Sequence, residues 1–176
     1  MKRKAFVKSL LGTSAFLSLP NKLWSENYNE TLNHLEQIKT STQGSMISFK
    51  DKPIKTVNIG IIGLGNRGQT LLQMLEWLGN EKHCKIVALC DLDETKIQAA
   101  EKELKRWQKK PPKTYVGDQN AWKKLTKQDN IDLVLITTPW KWHTPMSVYA
   151  MQNGKHVACE VPIAYTIEDC WLLTKT

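Results

Sequence analysis

Cysteine is scarce in this chain, and its spacing forms no metal pattern. Cys84, Cys90, Cys159 and Cys170 include no C-x-x-C pair and no Cys/His ligand spacing, so a zinc site is not supported. Cys90 and Cys159 fall at the ends of predicted buried strands, where small packed thiols are expected. Long apolar runs are missing as well. The stretch Ser9–Leu19 is only mildly apolar and too short to span a bilayer. Also missing is a basic stripe with interleaved aromatics. The net charge of +8 invites a nucleic-acid reading, yet residues 1–56 carry nine Lys/Arg against four Asp/Glu, while residues 57–176 carry sixteen against thirteen. The excess lies largely outside the part that alternates strand and helix. There Lys105-Arg106, Lys109-Lys110 and Lys123-Lys124 read as solvated helix faces, which argues against nucleic acid as a partner. There are no internal repeats and no low-complexity tracts.

What is present is concentrated in one stretch. Val57–Ile62 is an apolar run of strand length, followed directly by Gly63-Leu64-Gly65-Asn66-Arg67-Gly68 and then by Gln69–Leu78, apolar at helical spacing. Strand, G-x-G-x-x-G and helix in that order form the dinucleotide-binding fingerprint. Gly63 permits the tight turn, Gly65 lets backbone approach a pyrophosphate, and Gly68 lets helix and strand pack closely. The helix N-terminus then offers N–H groups and a positive dipole end to the phosphates. The fingerprint also requires an acidic residue at the end of the next strand, to bond a ribose 2′-hydroxyl. Lys85–Cys90 ends in Asp91, a carboxylate that favours NAD over NADP.

Ahead of this stretch, residues 1–20 resemble an export signal with a basic start and a short apolar segment. Arg3-Lys4-Ala5-Phe6-Val7-Lys8 approaches the twin-arginine pattern, with Lys4 in place of the second Arg. Export of a folded, cofactor-loaded protein to the periplasm is the expectation, an ordinary secretory signal or a cytoplasmic basic N-terminus the alternative. Residues 21–56 are polar and read as an arm or linker, with a short helix around Glu30–Ile38.

Residues 57–176 alternate strand and helix, which predicts a parallel α/β sheet of Rossmann-like, doubly wound type. After the first unit come strand Lys85–Cys90, a helix Asp93–Trp107 capped by Asp93, and a short strand Thr114–Val116. A helix Asp118–Leu125 capped by Asp118 follows, then strand Ile131–Ile136, helix Thr144–Asn153 ended by Gly154, strand His156–Cys159, and a last helix opened by Thr166. A sixth strand and a substrate domain are not in the sequence, so the fold is expected to be incomplete at its C-terminal end. Any homo-oligomer is expected through that further domain.

Ligands of open α/β sheets bind beyond the carboxyl ends of the strands. Four groups fall there: Gly63–Gly68, Asp91, the loop Thr137-Thr-Pro-Trp-Lys-Trp-His143, and Glu160-Val161-Pro162. Trp140 and Trp142 offer flat faces to a cofactor or sugar ring, or pack beneath a further domain. His143 opens a helix, either as a neutral donor to cofactor or substrate, the one weak catalytic candidate, or as a helix cap. Glu160 is a cofactor-side acceptor or a solvated loop charge. His83 and His156 read as structural.

Gly63–Gly68, Asp91, Thr138-Pro139 with His143, Gly154-Lys-His-Val157 and Glu160-x-Pro162 together resemble the Gfo/Idh/MocA oxidoreductases over residues 57–176. Most members of that family carry Glu-Lys-Pro after the fifth strand, with the Lys serving catalysis. Here that position is Val161. Thr138-Pro-Trp-Lys-Trp-His-Thr-Pro145, Cys159-Glu-Val-Pro162 and Cys170-Trp171 are similar to the NAD-dependent glycosidases of glycoside hydrolase family 109, typified by α-N-acetylgalactosaminidase. That resemblance implies NAD contacts from Asn66, Arg67, Asp91, Trp140, Lys141, Trp142, His143, Glu160 and Val161. It implies hydrolysis of N-acetylgalactosaminides through transient C3 oxidation with NAD, C2 deprotonation and elimination, without net redox change, and so without a carboxylate pair at glycosidase spacing. The alternatives are an NAD-dependent sugar dehydrogenase of the same family and a non-catalytic nucleotide-binding fragment.

Overall fold

The computed structural model describes residues 52–176. The export-like segment, the predicted helix at Glu30–Ile38 and all of the polar arm before Lys52 lie outside the described residues.

Apolar runs of strand length alternate with helices, and the elements follow that pattern: β1 Val57–Ile62, α1 Asn66–Asn80, β2 Cys84–Asp91, α2 Glu94–Leu104, β3 Lys113–Val116, α3 Ala121–Thr126, β4 Leu133–Ile136, α4 His143–Gln152, β5 His156–Cys159 and α5 Ile167–Lys175. A single 3₁₀ turn, Trp140–Trp142, leads into α4. The five strands form one sheet in the order β3-β2-β1-β4-β5, every pair parallel. The chain winds outward from β1 to one edge, then returns and winds to the other, so the order reverses between β1 and β4. The doubly wound Rossmann-like fold is therefore present.

Strand periodicity sends successive side chains to opposite faces and divides the core in two. Ile59, Ile61, Ile86 and Leu89 pack with Leu64 of the glycine-rich turn, Leu72 of α1 and Ile97, Ala100 and Leu104 of α2. On the other face Ile62, Cys90, Tyr115, Val134 and Ile136 pack with Trp122 and Leu125 of α3 and Met146 and Ala150 of α4. The β1–β2 register slips once, Ile59 pairing with Ile86 but Gly60 with Ala88. This extra residue in β2 returns Leu89 to the α1 side. Gly60 has a packing reason of its own. A Cβ there would stand 2.8 Å from Leu125 Cδ2 and 3.0 Å from Ile131 Cδ1, so its hydrogen is what lets α3 settle onto the sheet.

Several boundaries differ from expectation for identifiable reasons. Asp93 caps α2 as anticipated, accepting from the Thr95 N–H. Asp118 does not cap α3. Its carboxylate accepts from the Asn120 N–H at 2.8 Å and builds a turn, which delays the helix to Ala121. The α2 helix stops at Leu104, and Gln108 leaves it to act as a strand substitute. Its amide accepts from Ile86 N at 2.9 Å and donates to Ile86 O at 2.8 Å, covering the β2 edge that β3 does not reach. β4 begins two residues late, at Leu133. There the Asp132 carboxylate takes the Asn58 N–H at 2.7 Å in place of a ladder carbonyl. α5 opens with a full capping box between Thr166 and Asp169.

The Gly60–Leu125 contact is testable. Gly60→Ala is expected to cost about 1–3 kcal/mol in urea denaturation. In a Leu125→Ala background, where the contact is gone, the same change is expected to cost clearly less. Equal penalties in both backgrounds would place the strain elsewhere.

Candidate functional site

The site is built where β1 leaves the sheet. Gly63 has φ +91, and a Cβ there would lie 2.8 Å from the carbonyl carbon and oxygen of Thr137. A Cβ on Gly68 would meet the Gly63 oxygen at 2.2 Å. Side chains at either position would push α1 off β1 and β1 off the end of β4. Gly65 differs. Nothing lies within 4 Å of the Cβ it lacks, so it faces open space. Gly65 is also the N-cap of α1, which has neither a side-chain cap nor an acidic residue in its first turn. The first-turn N–H groups therefore have no partner within the helix, and together with the open cradle at Gly65 they fit a diphosphate.

Asp91 stands beside this turn and holds it in shape. One carboxylate oxygen accepts from Leu64 N at 2.6 Å and the other from Asp93 N at 2.9 Å. Lys96 Nζ is 4.0 Å away. Gln69 adds a tie, its amide donating to Leu64 O at 3.2 Å and to Lys96 O at 3.0 Å. Cys90, the neighbour of Asp91, is buried in the core. Burial pushes its thiol up to about 12, and the nearby Asp91 and Asp118 carboxylates add to the effect.

From β4, the Thr137 hydroxyl donates to Gly63 O and so binds the β4 exit to the β1 exit. The loop beyond it does not act as one unit. Trp140 is 58% exposed, its ring 6.4 Å from that of the exposed Tyr165. Trp142 turns inward and packs on the core beneath α4, with Lys141 Nζ 6.0 Å from its ring. From β5, Glu160 reaches back over the sheet, its Oε1 2.6 Å from Arg67 Nε. Val161 is 78% exposed.

His143 departs from both roles that its position suggested. It is the first residue of α4 but makes no cap bond. Its ring is 1% exposed, with Nε2 2.7 Å from Thr138 O and Nδ1 2.8 Å from Pro162 O. Both nitrogens lie against backbone carbonyls, which leaves none to present to a substrate. The remaining expected residues, Gly63, Gly65, Asn66, Arg67, Gly68, Asp91, Trp140, Lys141, Glu160 and Val161, lie along the carboxyl ends of β1, β2, β4 and β5. Sequence spacing alone does not single out Gln69 or Thr144, because their role depends on which loop lies opposite them.

Residues 57–176 match the family model for the oxidoreductase family with an NAD-binding Rossmann fold. This chain belongs to the Gfo/Idh/MocA family. It carries that family's NAD-binding domain, and the Gly65 cradle, the uncapped α1 terminus and the anchored Asp91 fit the dinucleotide. The chain is 43% identical to an α-N-acetylgalactosaminidase of Bacteroides fragilis over 140 residues, 79% of this chain and 32% of that protein. It is 32% identical to a glycosyl hydrolase family 109 protein of a Shewanella species over 174 residues, 99% of this chain and 36% of the relative. It thus spans about a third of the length of these curated relatives. Among solved structures it resembles myo-inositol 2-dehydrogenase from Lactobacillus plantarum, with a TM-score of 0.56 at 30% identity over 69% of this chain and 32% of that one. It also resembles scyllo-inositol dehydrogenase from Lactobacillus casei with bound NAD(H) and scyllo-inositol, with a TM-score of 0.53 at 28% identity over 65% and 31%. Among the described residues no cluster of three His, Cys, Asp or Glu is placed to hold a metal, and no helix is long and apolar enough to cross a membrane.

Gly65 separates binding from folding. Gly65→Ala adds a methyl group in open space at an ordinary φ of −65, so the thermal midpoint is expected to stay unchanged. NAD⁺ affinity by calorimetry is expected to fall about tenfold or more, or ~1.4 kcal/mol. A melting loss with intact affinity would contradict the cradle.

Cys90 gives a pH test. Its thiol ionises more readily in the unfolded chain than in the fold. Its contribution to stability is therefore intact below the ordinary value of 9.0 and is lost as pH rises from there toward about 12. A Cys90→Ala variant is expected to lose less stability than the parent across that window in denaturant titrations.

Proposed function

We propose that this chain supplies the NAD-binding part of a family 109-type glycosidase acting on N-acetylgalactosaminides. The observation that carries this reading is the residue after Glu160. Where an ordinary sugar dehydrogenase of the resembled family uses a Lys, this chain has Val161, an exposed apolar side chain with no proton to exchange. The identity to the Bacteroides fragilis α-N-acetylgalactosaminidase supports the same choice.

Bound NAD supplies hydride acceptance and return, which makes a neighbouring sugar C–H acidic and lets a glycosidic oxygen leave without net oxidation. The residues of this chain do the rest. The α1 terminus and Gly65 take the diphosphate, Asp91 the adenosine ribose hydroxyls, and Arg67, Trp140, Glu160 and Val161 the half toward β4 and β5. Proton transfers to and from the sugar belong to residues outside this chain's NAD-binding domain.

A second reading, NAD-dependent sugar dehydrogenase, is favoured by the likeness to the inositol dehydrogenases. One assay separates the two. The full-length protein with a p-nitrophenyl α-N-acetylgalactosaminide is expected to release p-nitrophenol with no build-up of reduced nicotinamide. Stoichiometric NADH with no released phenol would overturn the glycosidase reading in favour of the dehydrogenase.

A further inference from the structure

The β5 loop, residues 160–166, has neither strand nor helix to hold it. Its entry is fixed where Glu160 N–H closes the ladder onto Ile136 O at 3.0 Å, and its exit where Thr166 caps α5. In between, the main chain is tied to the body through two carbonyls. Pro162 O lies 2.8 Å from His143 Nδ1, and Ile163 O accepts from the Thr144 hydroxyl at 2.9 Å. Both partners sit side by side in the first turn of α4, 1% and 3% exposed. The other nitrogen of His143 lies against Thr138 O, in the loop after β4. One imidazole thus joins the loops after β4 and β5, and the β5 loop in turn carries the carboxylate that meets Arg67 in the glycine-rich turn.

We infer that His143 is a positioning residue for the nicotinamide half of the cofactor. It holds the β5 loop, with Glu160 and Val161, at the crevice without touching the ligand. The inference rests on the proposal that Glu160 and Val161 serve NAD. The geometry makes the role selective. The adenosine half is served from β2 and the glycine-rich turn, through Asp91 and the α1 terminus, on the far side of the switch between β1 and β4. His143 has no hydrogen bond on that side. Loss of the imidazole removes the contacts at Pro162 O and Thr138 O together and releases the loop that faces the other half of the dinucleotide.

The test compares NAD⁺ with ADP, which lacks the nicotinamide half, by calorimetry on the full chain. His143→Leu is expected to weaken NAD⁺ about tenfold while leaving ADP within about twofold. His143→Gln, which keeps one amide donor, is expected to recover part of the loss. Thr144→Val, nearly the same shape without the donor, is expected to shift NAD⁺ the same way by less, and it reports on the loop even where His143→Leu does not fold. Equal losses for NAD⁺ and ADP, or a lower melting temperature with both affinities intact, would make His143 merely structural and overturn the inference. Separately, Glu160→Ala weakening neither nucleotide in the parent protein would overturn the assignment of the β5 loop to NAD, whatever His143 does.

Discussion

Everything at the carboxyl edge of this sheet depends on how little room is left where β1 turns into α1. The Gly63 backbone lies against that of Thr137, and Gly68 lies against the Gly63 carbonyl so closely that no Cβ fits at either place. That double contact brings the start of α1 onto the point where strand order reverses. It also leaves Gly65 standing clear with open space before it. A phosphate-binding helix end needs both conditions: backbone packed hard behind it and nothing in front.

The chemistry is arranged around that turn in two halves. Asp91 receives the Leu64 N–H and so holds the loop in shape. On the other side, Arg67 and Glu160 close an ion pair, about half exposed at the guanidinium and mostly covered at the carboxylate. A pair with that much water access contributes little to stability, on the order of 1 kcal/mol or less. Its significance is positional.

How much of this was legible in the sequence follows from the range of the interactions. β5 and the glycine-rich turn read correctly because their signals are local: an apolar run, a glycine at each required backbone position, an acidic residue at the right distance. Asp118, expected as a helix cap, and the start of β4, expected at Ile131, came out differently for a common reason, a carboxylate at Asp118 and at Asp132. The Asp118 carboxylate accepts a backbone N–H from a turn instead of from the helix it was expected to cap, and the Asp132 carboxylate takes the Asn58 N–H of the neighbouring strand. Gln108 gave no sign at all, since only the β2 edge beside it explains its role. His143 was recognisable as unusual, yet its partners at Thr138 and Pro162 come from two loops that only the folded sheet brings together. Trp140 and Trp142 look equivalent in sequence and separate in space, because the 3₁₀ turn that holds both directs one outward and the other against the core.

The Arg67–Glu160 pair joins residues 93 apart in sequence and links the start of α1 to the loop after β5. A chain folding from β1 outward completes the adenosine side with β2, long before β5 arrives to supply Glu160. The two halves of the crevice therefore differ in contact order, one closed by neighbouring elements and the other only by the full circuit of the chain. A ligand that touches both halves gains its full set of contacts only once β5 has docked, and by mass action it adds its own affinity to that docking.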